Sequence, residues 1–130
     1  MSYDINAAPY GGYIGSYLLR FMELEADNNH DPEARFLSWE NTVIVQAKNI
    51  EEAYEKIVAI GIGFTEPYKG GDQGVPVQWE YLGMTDLLPI YDELEDGAEV
   101  MWLPRHPRKL KNLRRLVVEK EVFFNRRPKE

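Results

Sequence analysis

The chain contains no cysteine among its 130 residues, and this absence removes several classes of protein at once. Without thiols there is no disulfide framework, no cysteine-ligated zinc, no iron–sulfur cluster and no thiol nucleophile. A chain of this length buries about two thirds of the surface that it exposes when unfolded, so its core needs neither a disulfide nor a metal. We therefore expect one domain held together by side-chain packing.

Long hydrophobic runs are also missing. The longest uncharged apolar-rich run, Ile57 to Phe64, has 8 residues and includes two glycines, whereas a membrane-spanning helix needs about 20 apolar residues. The first 12 residues hold no lysine or arginine and do not resemble a signal peptide. We expect no membrane partner and a cytoplasmic location, with which the lack of cysteine is compatible.

Histidine and serine are scarce, which limits the catalytic chemistry on offer. The two histidines, His30 and His106, lack the companions at helical spacing that mark metal sites. None of the three serines lies in a Gly-x-Ser-x-Gly elbow. The sequence therefore carries no signature of a reaction, and we predict no catalytic residues.

Two segments resemble ligand-binding loops without meeting their requirements. Gly61 to Glu66 begins like a glycine-rich nucleotide loop, but Glu66 replaces the third glycine and the segment follows a predicted helix. If Gly97 is aligned with the glycine of an EF-hand loop, Leu94 and Leu103 fall at positions that require oxygen ligands. We predict no cofactor and no metal ligand.

What the chain does have is a strong division of charge. Residues 1–104, here called the body, carry 19 acidic and 5 basic side chains, a net of -14. Residues 105–130, here called the basic tail, carry 10 basic and 3 acidic side chains, a net of +7. Such asymmetry indicates a basic arm that contacts either an acidic partner or the acidic body of this same protein.

The first half of the body predicts two strands and a helix. Apolar residues alternate in both registers from Tyr13 to Glu25, which predicts a strand with at least one well-buried face, and Phe36 to Lys48 predicts an antiparallel partner. Asn49 is a good helix N-cap, and Glu52 follows three residues later. Apolar residues then recur at helical spacing and predict an amphipathic helix that ends near Gly61.

The second half predicts a loop, two strands and an ambiguous tail. Gly61 to Pro76 is predicted as loop, and a strand beginning at Val75 or Val77 runs to Leu82 and continues past a bulge to Pro89. The turn at Asp96-Gly97 predicts a hairpin whose second strand is Glu99 to Leu103. In the tail, we predict a short helix or turn from Leu110 and then a strand within Leu116 to Phe124, where β-branched and aromatic residues accumulate.

These elements define the expected fold and organisation. The fold class is α+β, an antiparallel sheet of four to five strands with one main helix on one face, in the order β-β-α-β-β with a basic C-terminal helix/strand tail. We expect a flexible segment at residues 1–12, a single domain at 13–104, and a tail at 105–130 that packs on the domain or on a partner. One helix leaves the other sheet face bare, so we expect the tail, a second protomer or a partner to cover that face.

Three groups of side chains are candidate interaction residues, each with a plainer structural alternative. The tryptophans either line a groove or pack under the helix. The acidic loop either contacts a partner or is a solvated turn. The basic side chains of the tail bind either nucleic acid or an acidic body. The candidates are Trp39, Trp79, Asp92, Glu93, Glu95, Asp96, Arg108, Lys109, Lys111, Arg114 and Arg115.

Several segments of the body, taken in chain order, match those of a known family: Tyr17-Leu18-Leu19-Arg20-Phe21, Trp39-Glu40, Val43-Ile44-Val45, Asn49-Ile50-Glu51-Glu52-Ala53, Val77-Gln78-Trp79-Glu80-Tyr81-Leu82-Gly83 and the acidic stretch from Asp92 to Val100. They resemble a bacterial family called domain of unknown function 4288. The resemblance covers roughly Tyr17 to Leu103, and its most specific part is the acidic stretch from Glu93 to Val100. The resemblance implies a small one-helix α+β domain and supplies no catalytic residues.

We interpret the chain as a non-enzymatic protein-interaction or self-association domain. A homodimer fits this hypothesis, as does a more specific role as an immunity or phage-defence accessory protein. Nucleic-acid binding through the basic tail is an alternative. A small hydrolase or ligand-binding protein that uses carboxylates is a further alternative, because 22 acidic side chains offer many pairs.

Overall fold

A four-stranded antiparallel sheet with one long helix on one face forms the centre of the molecule, as seen in a computed structural model that describes residues 4–126. The elements, in chain order, are β1 (Gly12–Glu23), β2 (Ser38–Gln46), α1 (Ile50–Ile62), β3 (Tyr68–Gly70), β4 (Val75–Pro89), α2 (Leu110–Arg114) and α3 (Lys120–Phe124). The order across the sheet is β2-β1-β4-β3. The predicted α+β class and the β-β-α-β-β order are confirmed, although one of the two strands after the helix is not the one predicted.

β1 is an interior strand of the sheet, and both of its faces are buried at the end near Gly12. Tyr13 and Tyr17 face α1, whereas Ile14 and Ser16 face the opposite side, and all four are buried. This explains the apolar residues in both registers of the sequence. An interior strand of an antiparallel sheet has neighbours on both edges, so its side chains are flanked even where no helix covers them.

α1 is held in place by its N-cap and by one close glycine contact. The Asn49 side chain accepts a hydrogen bond from the backbone N–H of Glu52 at 2.8 Å, as the sequence predicts. Ala53 and Ile57 are fully buried against the sheet. Gly61 lies so close to Tyr81 that an added Cβ would stand 2.7 Å from the ring, so a glycine allows the helix to approach the sheet.

β4 is long because it accommodates two irregularities. Its register against β1 shifts between Ser16 and Tyr17 and again between Leu18 and Leu19. Gly83, paired with Leu18, has a φ of 151°, which L side chains rarely adopt. The predicted continuation of this strand past a bulge is confirmed, and the bulges turn extra residues of β4 towards the surface.

Two details of the predicted body are wrong. Tyr68–Gly70 is a strand within the segment predicted as loop, because it pairs with Val75–Val77 across a tight turn. Glu99 to Leu103 is not a strand, although the turn before it forms, with a hydrogen bond from the N–H of Ala98 to the carbonyl of Glu95. The residues before the turn pack beside Gly12 instead of forming the first half of a hairpin.

The predicted strand in the tail is also wrong, whereas the predicted short helix is confirmed. α2 begins at Leu110, but the segment with strand composition forms the helix α3, Lys120–Phe124. A strand needs a neighbouring edge for its backbone hydrogen bonds, and no strand of the described chain lies beside this segment. Residues 127–130 of the tail lie outside the described residues.

The segment before β1 follows the surface of the body over its described part. The Tyr13 hydroxyl donates to the carbonyl of Asn6 and accepts from the N–H of Ala8, each at 3.4 Å. The Tyr91 hydroxyl donates to the carbonyl of Ile5. Residues 1–3 of the predicted flexible segment 1–12 lie outside the described residues.

Candidate interaction surfaces

The two candidate tryptophans lie on the α1 face of the sheet and contact each other. Trp39 of β2 and Trp79 of β4 flank β1, with ring centroids 5.6 Å apart in an edge-to-face arrangement. Phe21 of β1 adds a second edge contact to Trp79 at 5.3 Å. All three rings are half-buried, and Trp79 packs against the core. The structure thus gives these side chains a packing role, with part of each ring at the surface.

The acidic candidates lie in one exposed irregular segment after β4. Asp92 accepts a hydrogen bond from the N–H of Glu99 at 3.0 Å, which closes the segment on itself. Asp92, Glu93, Glu95 and Asp96 are exposed and line a shallow pocket of about 400 Å³ with Tyr10 and Tyr91. Within residues 4–126, no three histidine or acidic side chains are placed to hold a metal ion.

The basic candidates lie together in the tail, away from the sheet. Arg108, Lys109, Lys111, Arg114 and Arg115 are all exposed. Neither α2 nor α3 contains a buried residue, and neither packs against α1 or any strand. Among residues 4–126 the ion pairs are Arg20 with Glu80 and Lys56 with Glu52, so the basic side chains of the described tail form none with the body.

The tail also exposes every large apolar side chain that it holds in its described part. Some of these side chains lie in α2 and α3 and the others lie in the segment between the two helices, and none of them is covered by a core. The exposed apolar residues are Leu110, Leu113, Leu116, Val117, Val118, Val122, Phe123 and Phe124.

The sheet face opposite α1, here called the open face, carries the even-numbered residues of β1 and their register partners. Leu18 lies at its centre, with Glu40 on the β2 side, and Ser16 lies next along β1 with Asp86 on the β4 side. Ile44 and Leu82 are 47% and 50% exposed on this face. The open face therefore presents apolar and acidic groups together. Its central residues are Ser16, Leu18, Glu40, Thr42, Ile44, Leu82, Thr85 and Asp86.

Side-chain hydrogen bonds fix the floor of the open face. The hydroxyls of Ser16 and Thr42 are 2.7 Å apart, and the Thr85 hydroxyl donates to the Glu40 carboxylate at 2.5 Å. The second bond spans from β4 to β2 across β1. It holds Glu40 in one orientation, so the acidic character of this face has a defined position.

A buried arginine closes one end of the open face. The Arg20 side chain is 14% exposed; its Nε donates to Glu80 at 2.8 Å and its Nη1 donates to the carbonyl of Asn29 at 2.7 Å. The Phe36 ring lies 4.6 Å from the guanidinium carbon. These contacts tie the loop between β1 and β2 onto the sheet, beside a cavity of about 360 Å³ that Leu82 also lines.

The hydroxyl of Tyr81 has a shifted pKa. Burial of Tyr81 under α1 raises the pKa of its hydroxyl above the ordinary value of 10.0, and the nearby Tyr54 hydroxyl raises this pKa further. The cause is packing beside Gly61 in the core of the domain. Tyr81 is a half-buried tyrosine that packs against the core, and its shift adds nothing to the candidate surfaces.

The open face was missing from the candidate residues read from the sequence. Its acidic members, Glu40 and Asp86, are separated by 45 intervening positions and meet only because β1 lies between their strands. The available signal was the alternation of β2, in which Glu40, Thr42 and Ile44 share one register. Leu82 gave no such signal, because the bulges in β4 interrupt its alternation.

Comparison with known proteins identifies the family of the body and gives no relative of known function. The model of the family described as Domain of unknown function (DUF4288) matches residues 12–102. No curated protein and no solved structure matches the chain. Within the described residues, no helix has the length and apolar character needed to cross a membrane. The family match spans all four strands and α1, so the chain belongs to the DUF4288 family.

Proposed function

We propose that this protein is a non-enzymatic interaction domain that associates with further copies of itself, and that the basic tail is the element of contact. The observation that carries the proposal is the state of the described tail, in which all eight large apolar side chains are exposed. Full burial of such a side chain from full exposure is worth about 1.5 to 3 kcal/mol, and the tail side chains, which are 39% to 76% exposed, can still gain part of it. A segment of this composition is stabilised strongly by any surface that covers it.

Charge supports a second copy as that surface. The body carries a net charge of -14 and the tail a net charge of +7, so the tail of one copy is attracted to the body of another. The same attraction holds within one chain, but the described tail helices do not contact the sheet or α1 of their own copy. Association between copies satisfies both the charge and the apolar surface of the tail.

Sedimentation equilibrium of three purified chains tests the proposal. The full chain should sediment with a concentration-dependent mass that approaches at least twice 15.1 kDa. A chain that ends at Pro104 should remain a monomer, as should the full chain with Leu113→Ser and Val117→Ser, because each change removes apolar contact area from the tail.

A matched control distinguishes the tail from exposed apolar residues in general. Ile62→Ser removes a side chain that is as exposed as those of the tail but lies at the end of α1. This variant should associate like the full chain. A full chain that stays monomeric at every concentration, or a truncated chain that associates equally well, would overturn the proposal.

Nucleic-acid binding is a second candidate function, and the unpaired basic side chains of the described tail favour it. The structure also offers an argument against it, because Lys120 and Arg126 lie 5.8 Å and 4.9 Å from the ring centroids of Phe124 and Phe123. These cations compete with bases for stacking on the rings. Titration of labelled single-stranded DNA and RNA at low and high salt tests this candidate, since phosphate contacts weaken steeply as salt rises.

A further inference from the structure

We propose that the open face is the docking site for the basic tail of a second copy, so that two copies exchange tails reciprocally. This inference rests on the proposed self-association and names the surface that receives the tail. Three features carry it: the chemistry of the face, the chemistry of the tail, and the separation of the tail helices from their own body.

The chemistry of the open face suits a basic amphipathic segment. Ile44 and Leu82 supply exposed apolar area, and Glu40 and Asp86 supply exposed carboxylates between them. The two carboxylates stand on either side of β1, where no basic side chain of the body forms an ion pair with them in the described structure. Glu40 accepts a hydrogen bond from Thr85, and Asp86 accepts one from the N–H of Leu87. Neither carboxylate has a cationic partner in the described structure, so a cationic side chain that crosses β1 would meet both of them.

The chemistry of the tail is complementary. Leu110, Leu113 and Val117 recur at a helical spacing of three and four residues, and Lys111 and Arg114 lie between them. All five side chains are exposed. The tail thus offers apolar and cationic groups together, in the same mixture that the open face offers with carboxylates.

The occupant is assigned to a second copy because neither helix of the described tail lies on its own sheet. Neither tail helix contacts β1, β2 or β4 of the same chain. In a reciprocal exchange each copy gives one tail and receives one, so the assembly closes as a twofold dimer and no docking surface stays empty.

Two charge-reversed variants test the docking site. The face variant carries Glu40→Lys and Asp86→Lys, and the tail variant carries Lys111→Glu and Arg114→Glu. Each alone places like charges opposite each other, so each should weaken the dimer at least about tenfold in sedimentation equilibrium. A control with Glu55→Lys and Glu66→Lys makes the same change of net charge as the face variant, at exposed positions away from the open face, and should dimerise normally.

Mixing the two variants is the decisive step. In an equimolar mixture, the unaltered tail of the face variant meets the unaltered face of the tail variant, and the reversed pair is also complementary. Dimerisation should return to within about threefold of the original chain. Circular dichroism of each variant confirms that its sheet and helix are folded before the masses are compared.

The outcomes separate this inference from the proposed function. If the original chain dimerises but neither reversal weakens it, or if neither the mixture nor a chain with both reversals dimerises, the open face is not the docking site and self-association still stands. Rescue only when both reversals are placed in one chain would show docking within a single copy and would overturn the exchange. A monomeric original chain would overturn both proposals.

Discussion

The body and the basic tail of this protein differ in the burial of their apolar side chains. In the body, Tyr13, Tyr17, Ile57 and Ile90 are fully buried between the sheet and the elements packed on it. In the described tail, no residue of either helix is buried. The body therefore holds its own structure, whereas the tail has apolar surface that its own chain leaves uncovered. Under the proposed self-association, this segment gains its order when it meets another copy.

The helix ends show the same difference. α1 runs for 13 residues and has a side-chain N-cap at Asn49. α2 and α3 run for 5 residues each, and no side chain caps either of them. Short uncapped helices are marginal in water because their nucleation costs more than a few hydrogen bonds return. The tail helices thus depend on packing that the described chain does not provide.

Truncating one buried side chain of the body and one exposed side chain of the tail should give the largest difference in the free energy of unfolding. Ile57→Ala should lower the free energy of unfolding by about 3 kcal/mol, because it leaves a cavity under α1. Leu113→Ala in the tail should change it by less than about 0.5 kcal/mol at a concentration where the chain is monomeric. Urea unfolding followed by circular dichroism measures both. Equal losses would contradict the separation of body and tail.

Removal of the buried arginine should have the next largest effect. Arg20→Met keeps the apolar stem but removes the hydrogen bonds to Glu80 and to the carbonyl of Asn29. We expect a loss of about 2 kcal/mol, since the partners of a charged donor are left unsatisfied. Hydrogen exchange should show faster exchange in the loop between β1 and β2. Arg115→Met in the exposed tail is the matched control and should leave stability unchanged.

Loss of the helix N-cap should have a smaller effect. Asn49→Ala should lower the free energy of unfolding by about 1 kcal/mol, because the N–H of Glu52 loses its acceptor. Asn112→Ala, at an asparagine inside α2, should leave the unfolding of the body unchanged. A similar loss from both variants would mean that α2 unfolds together with the body.

Replacement of Tyr81 should have the smallest effect, a change in how stability falls at alkaline pH. Its pKa is raised in the folded protein, so the neutral hydroxyl is favoured there and stability is complete below pH 10.0, the ordinary value. As the pH rises above this value the unfolded chain loses its proton first, and stability falls. Tyr81→Phe should reduce this loss in thermal unfolding measured across the alkaline range. An unchanged alkaline slope would contradict the assignment.

Local signals in the sequence were sufficient for most of the fold. The alternation of β1 and the capped periodicity of α1 depend on neighbours within a few residues, and both predictions are confirmed. Predictions that depended on a distant partner were less secure. Glu99 to Leu103 and the tail segment ending at Phe124 have strand-like patterns, but neither has a neighbouring strand to complete its hydrogen bonds.

The two candidate surfaces also differ in how far the sequence alone reveals them. The basic tail is contiguous in sequence, so its charge and apolar content are visible without a structure. The open face is assembled from three strands, and the bulges in β4 decide which residues join it. Glu40 and Asp86 could be placed together only once the sheet order β2-β1-β4-β3 was known.

Hydrogen exchange in the tail, measured as a function of protein concentration, tests the central claim most directly. The claim is that residues 110–124 become ordered when they contact another copy. Their amides should exchange as fast as those of an unstructured peptide in dilute solution and become protected as the concentration rises, whereas α1 and β1 stay protected throughout. Tail amides that exchange fast at every concentration, or that stay protected on dilution, would contradict the account.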